Sequence, residues 1–178
     1  MSSRYVVITG GPGAGKSTLL DSLRRVGHAC VEEAGRQITK DQLQIGGQAV
    51  HGADSRLYAE ITLSWEIRSY RLASQHTGPV FFDRGIPDLV GYHLLLGWPV
   101  PDHVAAAARR FRYHRRVFIA PPWPEIYAND SERHQDFAEA VRTHDAMAAA
   151  YTQLGYELTA LPLSDVNSRR AFVERLTL

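Results

Sequence analysis

Gly10-Gly11-Pro12-Gly13-Ala14-Gly15-Lys16-Ser17-Thr18 follows an apolar run, Tyr5-Val6-Val7-Ile8, and precedes a helical apolar pattern of Leu19, Leu20 and Leu23. That order reads as strand, glycine loop and helix, and the loop contains the full G-x-x-x-x-G-K-[ST] phosphate-binding pattern. Each residue type has a physical reason. Glycines let backbone N–H groups turn inward around phosphate oxygens. A helix starting near Lys16 aims its positive dipole end at the same anion. The Lys16 ammonium can reach β- and γ-phosphates, and the Ser17 hydroxyl can bind Mg²⁺. The expected nucleotide contacts are Gly11, Pro12, Gly13, Ala14, Gly15, Lys16, Ser17 and Thr18; a purely structural glycine turn is the competing reading.

The rest of the composition is that of an ordinary globular chain. Its 178 residues suit one domain over 1–178, with 44% apolar and 22% charged residues. A net charge of +1 provides no field for nucleic acid or for a membrane surface, and neither is an expected partner. Cys30 is the single cysteine, so an intramolecular disulfide and a cysteine-based zinc cluster are excluded. Met1-Ser2-Ser3-Arg4 leads straight into the first strand and fits no signal or transit peptide. No apolar run approaches the roughly 18 residues needed to cross a bilayer. A cytoplasmic protein is the expectation.

Strands are expected over 4–9, 28–32, 80–82, 116–120 and 156–161. Helices are expected over 16–26, 34–45, 54–76, 88–96, 102–112 and 135–154, with a last one starting at Asp165 or Ser168. In the long third helix, Leu57, Ile61, Trp65, Arg68 and Leu72 follow helical spacing and read as the apolar stripe. Five short apolar strands alternating with helices demand a parallel sheet covered on both faces, a three-layer α/β/α fold. Ligands of such sheets bind at the carboxyl ends of the strands.

The residues at those ends are therefore the candidates for chemistry. A carboxylate directly after Val80-Phe81-Phe82 is costly without a cation or donors. Asp83 is expected to organise Mg²⁺ together with Ser17, or else to pair with Arg84. Arg84 is expected to neutralise charge on a transferring phosphoryl group, the same salt bridge being its structural alternative. Strand alternation sends Glu32 and Glu33 to opposite sides, and Glu33 is favoured as the group that takes a proton from an acceptor hydroxyl. The segment at 121–137 has prolines at 121, 122 and 124 and a polar tip, and reads as a lid carrying Arg133 to the γ-phosphate. Arg109, Arg110, Arg112, His114, Arg115 and Arg116 form the one dense basic run, a solvated face or a docking patch.

With these residues placed, the chain resembles the P-loop kinase-like ATPases of the AAA_28 type, relatives of the kinase domain of the bifunctional nicotinamide riboside kinase. The resemblance spans nearly the whole chain: GGPGAGKST at 10–18, EEAGR at 32–36, FFDRG at 81–85, the ND-x-ER flap at 129–133 and Leu-Gly-Tyr at 154–156. It implies a P-loop fold with ATP and Mg²⁺ as cofactors. Asp83 and Arg84 resemble the acidic–arginine pair of deoxynucleoside and thymidylate kinases, Glu33 with Arg36 their acidic residue and arginine after the second strand, and Arg133 their lid arginine. Residues 165–169 resemble the segment that packs against adenine, which puts Arg169 at the nucleotide. The expected activity is transfer of the ATP γ-phosphoryl to a small, nucleoside-like hydroxyl, with Lys16, Asp83, Arg84, Glu33 and Arg133 catalytic. The alternative is a nucleotide-switched ATPase or GTPase module acting on a protein or lipid partner.

Overall fold

A computed structural model describes residues 4–127 and 136–177. The chain runs β1 (Tyr5–Gly10), α1 (Lys16–Arg25), β2 (Ala29–Val31), α2 (Ala34–Ile45), α3 (Ser55–Leu72), β3 (Val80–Asp83), α4 (Ile86–Leu95), α5 (Asp102–Arg110), β4 (Arg116–Ala120), α6 (Phe137–Gln153), β5 (Glu157–Ala160) and α7 (Val166–Thr177). The strands form one parallel sheet in the order β2-β3-β1-β4-β5. This is the expected three-layer architecture.

Strand alternation builds both layers. Val6 and Ile8 of β1, with Phe81 and Phe118, face Leu19, Leu20 and Leu23 of α1 and Val173 of α7. Tyr5 and Val7, with Val80, Phe82 and Val117, face the opposite way, onto α3, α4, α5 and α6. The central strands β1 and β3 are buried along their whole length, whereas edge strand β5 exposes both its ends. Burial on both faces is why these strands are continuous apolar runs. Among the described residues, no helix is long and apolar enough to cross a membrane.

Several boundaries move for physical reasons. α4 begins at Ile86, two residues before the expected start, because Asp88 Oδ2 accepts from the Gly85 N–H and closes the first turn (3.0 Å). α5 starts at Asp102 as expected, after Pro101, and ends two residues early, at Arg110. α6 is capped by Asp136, which accepts from Glu139 N (2.7 Å).

The expected stripe of α3 is not its buried face. Leu57 and Leu72 are exposed, and Ala59, Thr62, Leu63 and Glu66 are buried instead. The inward face mixes Leu63, Ile67 and Tyr70 with the small Ala59 and the polar Thr62 and Glu66, so counting large apolar residues alone selected the wrong side. The basic run is also parted. Arg112 donates to Leu154 O (2.9 Å) and covers the Tyr156 ring, Arg115 pairs with Glu157 (2.8 Å), and Arg116 donates to Leu176 O (2.9 Å). Three of its arginines thus tie neighbouring elements together.

Gly11 shows how tightly the phosphate loop is held. A Cβ there would stand 2.3 Å from the Ala140 carbonyl oxygen on α6. Gly11→Ala is expected to destabilise the protein by about 1–3 kcal/mol through overpacking, lowering the melting temperature by roughly 2–4 °C per kcal/mol. An unchanged melting temperature would show that α6 yields at no cost.

Candidate active site

The carboxyl ends of β1, β2 and β3 open into a cavity of about 1460 Å³. Part of its wall is the phosphate loop with Trp123, Ile126, Asp165 and Arg169; another part comes from α2, α3 and α4.

Lys16 is buried, and its Nζ donates to the Gly11 carbonyl (2.7 Å). Burial, then the Arg84 charge, bring its pKa down to about 8 against the pull of Asp83, Glu33 and Asp88. Ser17 Oγ donates to Asp83 Oδ2 over 3.4 Å. Asp83 stands behind this hydroxyl and is not part of the cavity wall. Its other oxygen, Oδ1, is buried with no hydrogen-bond partner among the described residues. Burial, reinforced by Glu33 and Asp88 and opposed by Lys16 and Arg84, raises its carboxyl to about 6. A hydroxyl beside a carboxylate with an unused oxygen is a donor set that suits Mg²⁺, which binds through few protein oxygens and keeps its waters.

Arg84 is the one non-glycine residue with positive φ (70°) among the described residues. A left-handed conformation at a residue with a Cβ costs about 1–2 kcal/mol and persists only where its surroundings hold it. Its backbone N–H donates to Ile8 O (3.0 Å), its Nε to Glu33 Oε1 (2.9 Å) and its Nη1 to Asp88 Oδ1 (3.2 Å). The alternative pairing of Arg84 with Asp83 is therefore not the one formed: the guanidinium lies between Glu33 and Asp88. Burial alone would lower the Arg84 pKa, but Glu33, Asp88 and Asp83 outweigh it and drive it above its ordinary range.

Glu33 lines the cavity, while Glu32 points to solvent and pairs with Arg24 (3.1 Å). Burial pushes the Glu33 carboxyl up, but the charges of Arg84 and Lys16 prevail and hold it below the usual range. It is thus kept ionised. Arg36 and Lys40, one turn apart on α2, lie on the same wall.

Arg169 reaches the phosphate loop from α7. Its Nη1 donates to Ala14 O (3.0 Å), its guanidinium lies 5.6 Å from the Trp123 ring centroid, and Nε and Nη2 have no partner among the described residues. The expected lid arginine, Arg133, lies outside the described residues, as do residues 128–135 generally. The rest of the expected lid shows a short 3₁₀ turn at Pro124–Ile126.

Three residues escaped the reading of the sequence. Asp88 accepts from Thr9 Oγ1, Arg84 Nη1, Gly85 N and Tyr151 Oη. Tyr151 is fully buried on α6. Glu66 is buried on α3 and lines the cavity. The available signal was an acid inside an apolar run, Ile86-Pro87-Asp88-Leu89-Val90 and Trp65-Glu66-Ile67, since a charge rarely enters such a run without a partner.

The fold is shared with solved structures. A deoxyadenosine kinase from M. mycoides superposes with a TM-score of 0.67 at 13% identity, covering 97% of each chain. A thymidylate kinase from Ehrlichia chaffeensis gives 0.63 at 14% identity over 98% of each chain. A thymidylate kinase from Candida albicans gives 0.67 at 9% identity over 97% of this chain and 90% of that one. No curated protein sequence matches the chain. The AAA_28 model, an AAA domain, matches residues 5–169, from the first residue of β1 to Arg169. The chain belongs to the AAA_28 family.

Proposed function

We propose that the protein is an ATP-dependent kinase that transfers the γ-phosphoryl group to the hydroxyl of a small, nucleoside-like acceptor. The observation that carries this reading is the shared cavity: the phosphate loop and Lys16 line one part of it, and the Arg84–Glu33 pair lines it together with residues of α2, α3 and α4. A hydrolase needs room only for water, whereas this cavity continues past the reacting groups.

In this reading, Lys16 and the loop N–H groups hold the β- and γ-phosphates, and Arg169 with Trp123 flanks the nucleotide. Ser17 and Asp83 would hold Mg²⁺, which supplies charge neutralisation on the phosphate oxygens. Glu33, ionised and facing the cavity, accepts the acceptor's hydroxyl proton. The acceptor oxygen bonds to the γ-phosphorus as the bond to the bridging oxygen breaks, and ADP departs. Arg84 neutralises the charge spread over the transferring group. Arg133 is proposed to add a further cation from the lid at 121–137. A cytoplasmic setting, where ATP is supplied, fits this activity.

ATP turnover with and without a panel of nucleosides tests the proposal. One nucleoside is expected to accelerate turnover and to be recovered as its phosphate. Hydrolysis indifferent to every acceptor, with binding of a protein or lipid that tracks nucleotide state, would establish the switch module instead. Asp83→Asn is expected to lower Mg²⁺-dependent turnover about 10–100-fold while nucleotide affinity changes much less. Turnover at the wild-type level would make Asp83 structural.

A further inference from the structure

Tyr151 is fully buried on α6, and the chemistry proposed above makes no use of it. Its Oη donates to Asp88 Oδ2 over 2.6 Å, between residues 63 positions apart in the chain. That bond completes the Asp88 carboxylate. Oδ2 also accepts from the Gly85 N–H, and Oδ1 accepts from Thr9 Oγ1 and Arg84 Nη1. Two donors on each oxygen fill the acceptor capacity of a carboxylate and leave it one orientation. Arg84 is what this orientation fixes. Asp88 holds its Nη1 (3.2 Å), Glu33 holds its Nε (2.9 Å), and Nη2 has no partner among the described residues. Arg84 lines the cavity together with Lys16. A planar guanidinium held at two nitrogens presents the third in one direction.

The Tyr151 hydroxyl is itself held in place. α6 lies close on α4 at Gly91, where a Cβ would stand 2.6 Å from Met147 Sδ. The same helix abuts the phosphate loop through Ala140 and Gly11. The Tyr151 ring meets the Tyr156 ring edge-on, 5.3 Å between centroids. Packing this close leaves the hydroxyl no way to move off Asp88 unless α6 moves too, and α6 touches both the phosphate loop and α4. Phenylalanine would fill the same space in the core. The hydroxyl is the part of this residue whose bond reaches the site.

We propose that Tyr151 is a positioning residue of this site: through Asp88 it fixes the Arg84 guanidinium, so that Nη2 stays directed at the transferring phosphoryl group. Only the last step rests on the kinase reading; the hold on Arg84 is independent of it.

Tyr151→Phe in the full chain removes the O–H and keeps the ring. Hydrogen exchange of the Arg84 Nε–H, identified in heteronuclear NMR spectra by its absence in Arg84→Lys, reads the hold directly. It is expected to be about tenfold or more faster in the Phe variant. Basal hydrolysis of Mg–ATP, which needs no acceptor, reads the consequence. Its kcat is expected to fall about 10–100-fold, with KM for ATP within about threefold of wild type. In an Arg84→Ala background, the same substitution is expected to change kcat by less than about twofold, because Tyr151 acts through Arg84. A substitution that merely loosened the core would act equally in both backgrounds, all variants being assayed below their melting temperatures. Should Arg84→Ala fail to fold, Arg84→Lys, which keeps the cation and lacks the fork, takes its place. The inference is overturned if the Nε–H exchanges at the wild-type rate, if kcat is unchanged, or if the loss is the same with and without Arg84. A wild-type protein that turns over no ATP would sink the kinase reading, and the exchange rate would then by itself uphold or overturn the hold on Arg84.

Discussion

Replacing Lys16 with alanine is expected to abolish nucleotide turnover while the fold persists. The Lys16 amine is buried, and burial has already brought its pKa down to about 8, so its removal relieves a desolvated charge. Against that relief stand the attraction of Asp83, Glu33 and Asp88 and one hydrogen bond to the Gly11 carbonyl, the bond worth about 1 kcal/mol. These effects have opposite sign, so the melting temperature should move by only a few degrees. Turnover is different. A preorganised cation aimed at transferring phosphate acts in a site shielded from water, and losing one such group removes about 10²–10³ in rate. A turnover assay alongside thermal unfolding separates the two. Wild-type turnover in the variant would remove Lys16 from the proposed chemistry.

Asp88→Ala is expected to have a different signature, a large loss of stability. The Asp88 side chain is 8% exposed and accepts from four groups on four parts of the chain: Thr9 on β1, Arg84 after β3, Gly85 at the start of α4, and Tyr151 on α6. Alanine would leave the Arg84 guanidinium with Glu33 alone and the Tyr151 hydroxyl buried without its acceptor. Removing one partner from such a buried pair costs about 3–5 kcal/mol. At roughly 2–4 °C per kcal/mol, the melting temperature should fall by about 6–20 °C. Asp88→Asn keeps an acceptor toward Arg84 and should lose less. Turnover should fall as well, because Asp88, with Glu33 and the Ile8 carbonyl, binds Arg84 in its left-handed backbone conformation. A loss below about 1 kcal/mol would mean that water replaces Asp88 at these donors.

The parts of the fold that were legible are those carried by neighbours in the chain. The five strands were readable because each is a short apolar run bounded by glycine, proline or charge. α2 followed from local signals, and α3 begins within one residue of its expected start, capped by Asp54, which accepts from Leu57 N at 2.9 Å. The inward face of α3 was not legible. It depends on what α4 and the sheet place opposite: Ala59, Thr62, Leu63 and Glu66 pack there while Leu57 and Leu72 face outward. The basic run at 109–116 is solvated at Arg109, Arg110 and Arg115, but its ties were not legible: Arg112, Arg115 and Arg116 also bind elements far along the chain.

The candidate site divides in the same way. Residues 10–18 determine a phosphate cradle by themselves, because glycine φ freedom, the lysine and the hydroxyl all act within one turn of one loop and helix. The alternation of apolar strands with helices also determined that Asp83, Glu33 and the loop would share one edge of the sheet. Only the tertiary structure decided that Arg84 pairs with Glu33 across 51 residues rather than with Asp83 beside it. Only it decided that Tyr151 closes on Asp88 across 63 residues, and that Glu66 stands unpaired in the cavity wall. Those choices are settled by desolvation. A buried charge takes the partner that packing brings to it, and sequence order does not say which partner that will be.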